Sequence, residues 1–346
     1  MFKEFLKQFK NYEVDYEDYY IKVDANENLL DLPEELAKKI ENVIVANLNN
    51  IRLYPEINSQ TLINKLSQFY NLSYDNFVVG NGSDQLIQII VQSTSTKNDT
   101  VLSLNPSFVM YKISSLLQEA NWKGINWEDN WKLPIDEIID TVNNNNSIKV
   151  LFIDTPNNPT GIAFNEDELS YLINKLRDIL IVIDGAYSDY FENNYLGLCL
   201  KYKNTLLLKT FSKIGFAGIR CGYAIANKNI IEFLNKVKPP YNVNTLTHNI
   251  AIEILENFDL LKNNIEIIKN ERQKYITKLS EKYNILDSKS NFIAIINENA
   301  HLLYDYLLQN KIKTKLFKLN NTKLLRITIS DSIENDIIID RLLKWK

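Results

Sequence analysis

The chain has 346 residues, 45% of them hydrophobic and 24% charged, with a formal net charge of −4. That length predicts about two domains with sizeable cores. The acidic balance argues against nucleic acid as the main partner, because a phosphate backbone calls for a basic face.

In chain order, Met1–Lys10 interleaves Lys3, Glu4, Lys7 and Lys10 with apolar residues, too much charge for a signal peptide. No apolar run approaches the ~20 residues that a membrane helix needs, so a cytoplasmic protein without a membrane partner is expected. Residues 1–20 read as an aromatic and acidic arm or short helix, and Ile21 to Asn28 as an extended piece breaking into a polar turn. Asp31 and Pro33 signal a helix over Glu34 to Val45. A loop with Tyr54 follows, and Ser59 is expected to cap an amphipathic helix with Leu62, Leu66 and Phe69 on one face.

Strands and helices then alternate. Strands are predicted over Phe77–Gly80, Val101–Asn105, Val150–Asp154, Ile179–Asp184, Thr205–Thr210 and Gly222–Ala226, with helices over Asp84–Gln92, Phe108–Glu119 and Glu166–Arg177. Continuous apolar strands separated by helices imply a largely parallel sheet covered on both faces. Beyond Asn227 the pattern changes to a long, interrupted helical stretch from Leu246 to Lys282. A strand at Asn291–Ile296, a helix near His301–Gln309 and a strand at Leu324–Ile329 complete the chain. The predicted organisation is a large domain over 46–235 and a smaller α+β domain over 236–346, joined by the segment 1–45. Cys199 and Cys221 are too few for a disulfide framework, and His248 and His301 are the only histidines. No metal site is expected.

Polar residues gather where apolar strands end. The strand Thr205–Thr210 runs into Phe211-Ser212-Lys213, a loop with two glycines, and Arg220. Hydroxyls, loop amides and a guanidinium at a strand end suit a phosphate. An amine among them suits attack on a carbonyl, and the combination is the layout expected for pyridoxal 5'-phosphate (PLP). Asp184 ends a neighbouring strand, where a carboxylate would keep a pyridine nitrogen protonated, and Tyr187 lies three residues on. Asn158 sits in the turn Thr155-Pro-Asn-Asn-Pro-Thr-Gly161 beyond another strand. In open α/β sheets ligands bind at this edge. Gly80-Asn-Gly-Ser83-Asp84-Gln85 joins strand to helix, so the Ser83 and Asp84 amides face an anion site. Its third glycine of a dinucleotide fingerprint is replaced by Gln85. Arg326, between Leu325 and Ile327, suits a substrate carboxylate.

These motifs, with Asp24-Ala-Asn-Glu-Asn28, Tyr54-Pro-Glu56, Pro106 to Tyr111, Ala217 to Gly222, Ser290-Asn-Phe292 and Leu325-Arg-Ile-Thr328, stand in the order found in fold-type I PLP aminotransferases. The chain most resembles the histidinol-phosphate aminotransferase-like family. The resemblance implies that Lys213 bonds the cofactor and shuttles the proton at the substrate's α-carbon. It implies that Asp184 pairs with the pyridinium, Asn158 and Tyr187 with the ring hydroxyl, and that Phe108 stacks on the ring. Ser83, Asp84, Thr210, Ser212 and Arg220 would hold the phosphate, with Tyr54 reaching the phosphate of a partner subunit in a homodimer with shared sites. Arg326 would take the amino donor's carboxylate, Tyr12 and the Asn26 region would line the mouth, and Lys315 stands where relatives bind a substrate phosphate. The expected reaction moves an amino group between glutamate and a small phosphorylated ketone. Decarboxylation of a phosphorylated amino acid is the nearest alternative, and a nucleotide-binding protein on a similar scaffold the more distant one.

Overall fold

The computed structural model describes residues 4–8, 19–127, 131–193, 195–319 and 322–345. Strand β1 (Ile21–Lys22) precedes helices α1 (Glu34–Asn47) and α2 (Gln60–Tyr70). Next come β2 (Phe77–Gly80), α3 (Gly82–Thr94), β3 (Thr100–Asn105), α4 (Met110–Leu117), β4 (Asn121–Asn126), α5 (Ile135–Asn143), β5 (Ile148–Asp154) and α6 (Glu166–Lys175). They are followed by β6 (Leu180–Asp184), α7 (Leu196–Lys201), β7 (Thr205–Thr210), β8 (Gly222–Ala226) and α8 (Lys228–Val237). The remainder comprises α9 (Thr245–Glu256), α10 (Lys262–Leu279), β9 (Asn284–Ile285), β10 (Phe292–Ile296), α11 (Ala300–Gln309), β11 (Ile312–Lys313), β12 (Lys315–Lys318), β13 (Lys323–Thr328) and α12 (Ser332–Lys344).

The large sheet has the order β2-β8-β7-β6-β5-β3-β4. β4, β3, β5, β6 and β7 run parallel, and β8 is antiparallel to both its neighbours. The parallel strands are apolar on both sides because both faces are covered. Strand alternation sends Val150, Phe152, Val182, Leu206 and Leu208 toward α3, α4 and α8, where they pack with Leu86, Ile90, Tyr111 and Leu234. The intervening Leu151, Ile153, Ile181, Ile183 and Leu207 pack on the opposite side with α2, α6 and α9.

The second sheet is antiparallel, in the order β12-β13-β10-β9, and β1 pairs in parallel with β11. The N-terminal strip is thereby bound to the C-terminal part of the chain: Thr328 N donates to Val23 O at 3.0 Å, and Val23 N to Lys313 O at 2.8 Å. The interrupted helical stretch resolves into α9 and α10 with a short 3-10 turn at Phe258–Leu261 between them.

Two local expectations change. Ser59 is no side-chain cap: its φ of 55° turns the chain left-handed, and its hydroxyl bonds His248 Nε2 at 2.6 Å. Asn165, by contrast, closes a full capping box on α6 with Glu168. The edge strand β4 was not foreseen, because one side of an edge faces water and Asn121–Asn126 carries no apolar run.

Candidate active site

Alternation puts Asp154, Asp184 and Thr210, the last residues of β5, β6 and β7, on the same face of the sheet. The edge they share is the carboxyl end of the parallel strands, the ligand edge of such sheets. Asp184 is 3% exposed. Its Oδ2 accepts the Tyr111 hydroxyl at 2.7 Å and its Oδ1 the Ala186 amide at 3.0 Å. Burial pushes its pKa up to about 6, against the hydrogen bonds from Tyr111 and Ala186. A carboxylate so buried calls for a cationic partner.

Lys213 lies in the 3-10 turn Ser212–Ile214 directly after β7. It is half-buried, its charge acts on Asp184, and its Nζ stands 5.6 Å from the centre of the Tyr187 ring. Tyr190 fixes its backbone by donating to the Lys213 carbonyl at 2.5 Å. The other lysine of this strand end, Lys209, points to the opposite face, where it pairs with Asp189 at 2.8 Å.

The expected anion cradle joins three segments. Thr210 Oγ1 accepts the Ser212 amide at 3.1 Å, with the Ser212 hydroxyl 3.0 Å away. Arg220 reaches the first turn of α3 and pairs with Asp84 Oδ2 at 2.8 Å. Two glycines make this approach possible. A Cβ at Gly82, whose φ is +76°, would lie 2.7 Å from Arg220 Nη2, and one at Gly222 would lie 2.6 Å from the Ser83 amide nitrogen. Gln85 holds the start of α3 by accepting the Asn81 amide at 2.8 Å, and bonds Asn242 at 2.8 Å. Gly222→Ala is expected to destabilise the protein by about 1–3 kcal/mol through overpacking. A urea unfolding midpoint equal to the parent's would contradict the closeness of this contact.

The residues expected to meet the substrate come largely from the other sheet. Arg326, 6% exposed, donates from Nη1 to Asn158 Oδ1 and from Nη2 to the Asp24 carbonyl at 2.6 Å. Its guanidinium lies between Phe292 and Phe317, 5.4 and 5.2 Å from the ring centres. Asn26, in a left-handed conformation, donates to the Tyr187 hydroxyl at 2.9 Å. Lys315 is exposed on β12, directly across from Arg326 in the register. Phe108 is half-buried, with its ring 5.8 Å edge-on from Tyr111.

Contacts and register link Ser83, Asp84, Phe108, Asn158, Asp184, Tyr187, Thr210, Ser212, Lys213, Arg220, Arg326 and Asn26 near one strand edge, whereas Lys315 is tied to them only by its place across from Arg326. Tyr54 does not join them in its own chain. It is 83% exposed, stacked on Tyr241 at 4.9 Å. Tyr12 lies outside the described residues. Sequence reasoning passed over Asp154 and Tyr111. Asp154 closes β5 as Asp184 closes β6, and that repeated strand-end aspartate was the available signal. Tyr111 ends the Pro106 to Tyr111 motif but was given no role, since it reads as one more apolar position of α4. Among the described residues no cluster of His, Cys, Asp and Glu could hold a metal, and no helix is long and apolar enough to cross a membrane.

The sequence profile of the family described as aminotransferase class I and II matches residues 19–342. A histidinol-phosphate aminotransferase from Caldanaerobacter subterraneus subsp. tengcongensis is 35% identical, over 99% of this chain and 97% of its own. Among solved structures, histidinol-phosphate aminotransferase from Sinorhizobium meliloti, in complex with pyridoxal-5'-phosphate, superposes with a TM-score of 0.90 at 18% identity, covering 99% of this chain and 96% of that one. L-threonine-O-3-phosphate decarboxylase from Porphyromonas gingivalis superposes at 0.78 and 21% identity, covering 93% and 98%. The strand-edge site and the match along the chain lead to one assignment: the chain belongs to the aminotransferase class I and II family and is a PLP-dependent aminotransferase.

Proposed function

We propose that this aminotransferase moves an amino group between L-glutamate/2-oxoglutarate and a small phosphorylated ketone, as a cytoplasmic homodimer with shared active sites. The ketone is imidazole-acetol phosphate, which gives histidinol phosphate, or a smaller one such as dihydroxyacetone phosphate. The observation that carries the acceptor class is the pair Lys315 and Arg326. The two cations stand opposite each other on adjacent strands, and like charges so placed favour an anion near them: the donor's carboxylate in one half-reaction and the ketone's phosphate in the other would supply it. The histidinol-phosphate aminotransferase identical at 35% supports the same class.

The residues fit the cofactor. The space kept open at Gly82 and Gly222 leaves the Ser83 amide and Arg220 free of a crowding Cβ, and the buried Asp184 calls for a cation such as a pyridinium. When bound, PLP supplies the aldehyde carbon and the electron-withdrawing ring that amino-group exchange requires. Asp184 then keeps the ring nitrogen protonated. Ser83, Asp84, Thr210, Ser212 and Arg220 hold the phosphate at the start of α3, where helix amides favour an anion. Asn158 and Tyr187 would hold the ring hydroxyl, and Phe108 would stack on the ring and exclude water. Arg326 grips the donor's carboxylate as a planar fork, and Lys213 moves the proton at the substrate's α-carbon.

The homodimer is supported by an exposed apolar face comprising Val45, Leu48, Ile51, Leu53, Tyr54 and Ile57, each more than half exposed. Covering it with a second copy would carry Tyr54 to the partner's phosphate site.

The test is a panel of phosphorylated ketones and amino acids, following the cofactor's absorption for each half-reaction. Glutamate and a phosphorylated ketone are expected to react in turn, with ping-pong kinetics. Arg326→Gln should raise the KM for glutamate about 10- to 100-fold, the worth of a charged hydrogen-bond pair. Lys315→Ala should raise only the KM of the phosphorylated partner, about tenfold. Carbon dioxide release from a phosphorylated amino acid without 2-oxoglutarate would replace this reading with the decarboxylase.

A further inference from the structure

Asp154 is the second buried carboxylate of the site, 3% exposed and opposite Asp184 in the register of β5 and β6. Its Oδ1 accepts the Asn157 side-chain amide at 2.9 Å. Its Oδ2 accepts the backbone amides of Asn158 at 2.9 Å and Phe108 at 3.3 Å. The three donors come from two loops, one after β3 and one after β5. Those loops carry Phe108 and Asn158, the groups assigned above to the ring face and the ring hydroxyl. Asn157 cannot turn its amide over to suit another neighbour, since its Oδ1 accepts the Thr160 hydroxyl at 2.7 Å and the Thr160 amide at 3.2 Å.

The ionisable groups facing Asp154 are Asp184 on β6 and Tyr111 on α4, while Lys213 and Asp84 act on the pair through Asp184. Burial, with the neighbouring Asp184 charge, pushes Asp154 up to about 7, against the hydrogen bonds from Asn158 and Asn157. Two carboxylates this close do not both ionise at low cost. An apolar residue at this position would avoid that cost but would leave two backbone amides without an acceptor.

We propose that Asp154 is a positioning residue of the reaction, a carboxylate that clasps the Phe108 and Asn158 loops together and sets a second acid beside Asp184, so that two carboxyl groups instead of one would act on a bound cofactor. The inference rests on the PLP reading of this site. Asp154 acts through Asn158, Phe108 and Asp184, and it makes the charge felt by the ring depend on two acids instead of one.

The test follows the visible absorption of the holoenzyme across pH in the parent, Asp154→Asn and Asp154→Ala. A negative charge near the ring favours the protonated chromophore. Asp154→Asn, which removes that charge at nearly constant shape, is therefore expected to lower the titration midpoint by about one pH unit. It should also lower kcat about tenfold, as Asn157 loses its acceptor. Asp154→Ala, which frees both loops, is expected to weaken PLP binding about tenfold more. A residue that merely supports the fold would lower the unfolding temperature and leave the midpoint where it was; that result overturns the inference while the PLP reading stands. A parent enzyme without a PLP absorption band overturns both. If neither variant folds, infrared spectra of the parent decide: a protonated carboxyl band from labelled aspartate that persists at about pH 6, where ordinary aspartates are ionised, and fades near pH 7 upholds the pair, and no band at about pH 6 overturns it.

Discussion

Lys213→Ala is expected to retain the cofactor and to lose turnover by about 10⁴-fold or more. The loss combines a missing general base, worth about 10²–10⁴-fold by itself, with a missing nucleophile. Retention follows from where the remaining contacts sit. The groups assigned to the phosphate, Ser83, Thr210, Ser212 and Arg220, belong to α3, the end of β7 and the turn before β8. The Tyr190 bond at this position goes to a backbone carbonyl, which alanine keeps. The turn therefore folds without the amine. Rates with glutamate, together with cofactor content of the purified variant, check the expectation. A Lys213→Ala enzyme working at the parent's rate would show that the proton at the α-carbon is moved by another group.

Asp184→Ala is expected to lower kcat on the order of 10²–10⁴-fold. Removing one partner of a buried ion pair costs about 3–5 kcal/mol, and each 1.36 kcal/mol is a factor of about ten in rate. The same residue sets the pH dependence of cofactor uptake. Burial pushes Asp184 up to about 6 in the protein without ligand. Below that pH the acid is neutral and cannot pair with a pyridinium, and above it the carboxylate can. Affinity of the cofactor-free enzyme for PLP should therefore weaken as pH falls through 6, and Asp184→Asn should flatten the dependence. Fluorescence titration with PLP at several pH values measures both. A variant with kcat within tenfold of the parent would remove Asp184 from the ring nitrogen.

The class of fold was readable because its signals are short in range. Apolar runs such as Val150–Ile153 and Ile181–Ile183 each close on an aspartate, and that pattern states that a buried parallel strand ends at a polar edge. The position of Lys213 after such a run placed it at the same edge. Ser59 shows the limit of this kind of reading. A serine before an apolar helix pattern is a reasonable cap, yet its hydroxyl went to His248, 189 residues away, because a buried ring nitrogen competes for it.

Residue types and local periodicity were enough for the sheet, its flanking helices, the strand-end polar groups and the candidate lysine. The pairing of those groups was not contained in any window of the chain. That Asp154 lies beside Asp184, that Tyr111 donates to Asp184, and that Arg326 reaches Asn158 follow from strand order and register. Strand order depends on which faces bury best together, a competition among elements distant in sequence. A residue's chemistry is local, whereas its partner is chosen by packing.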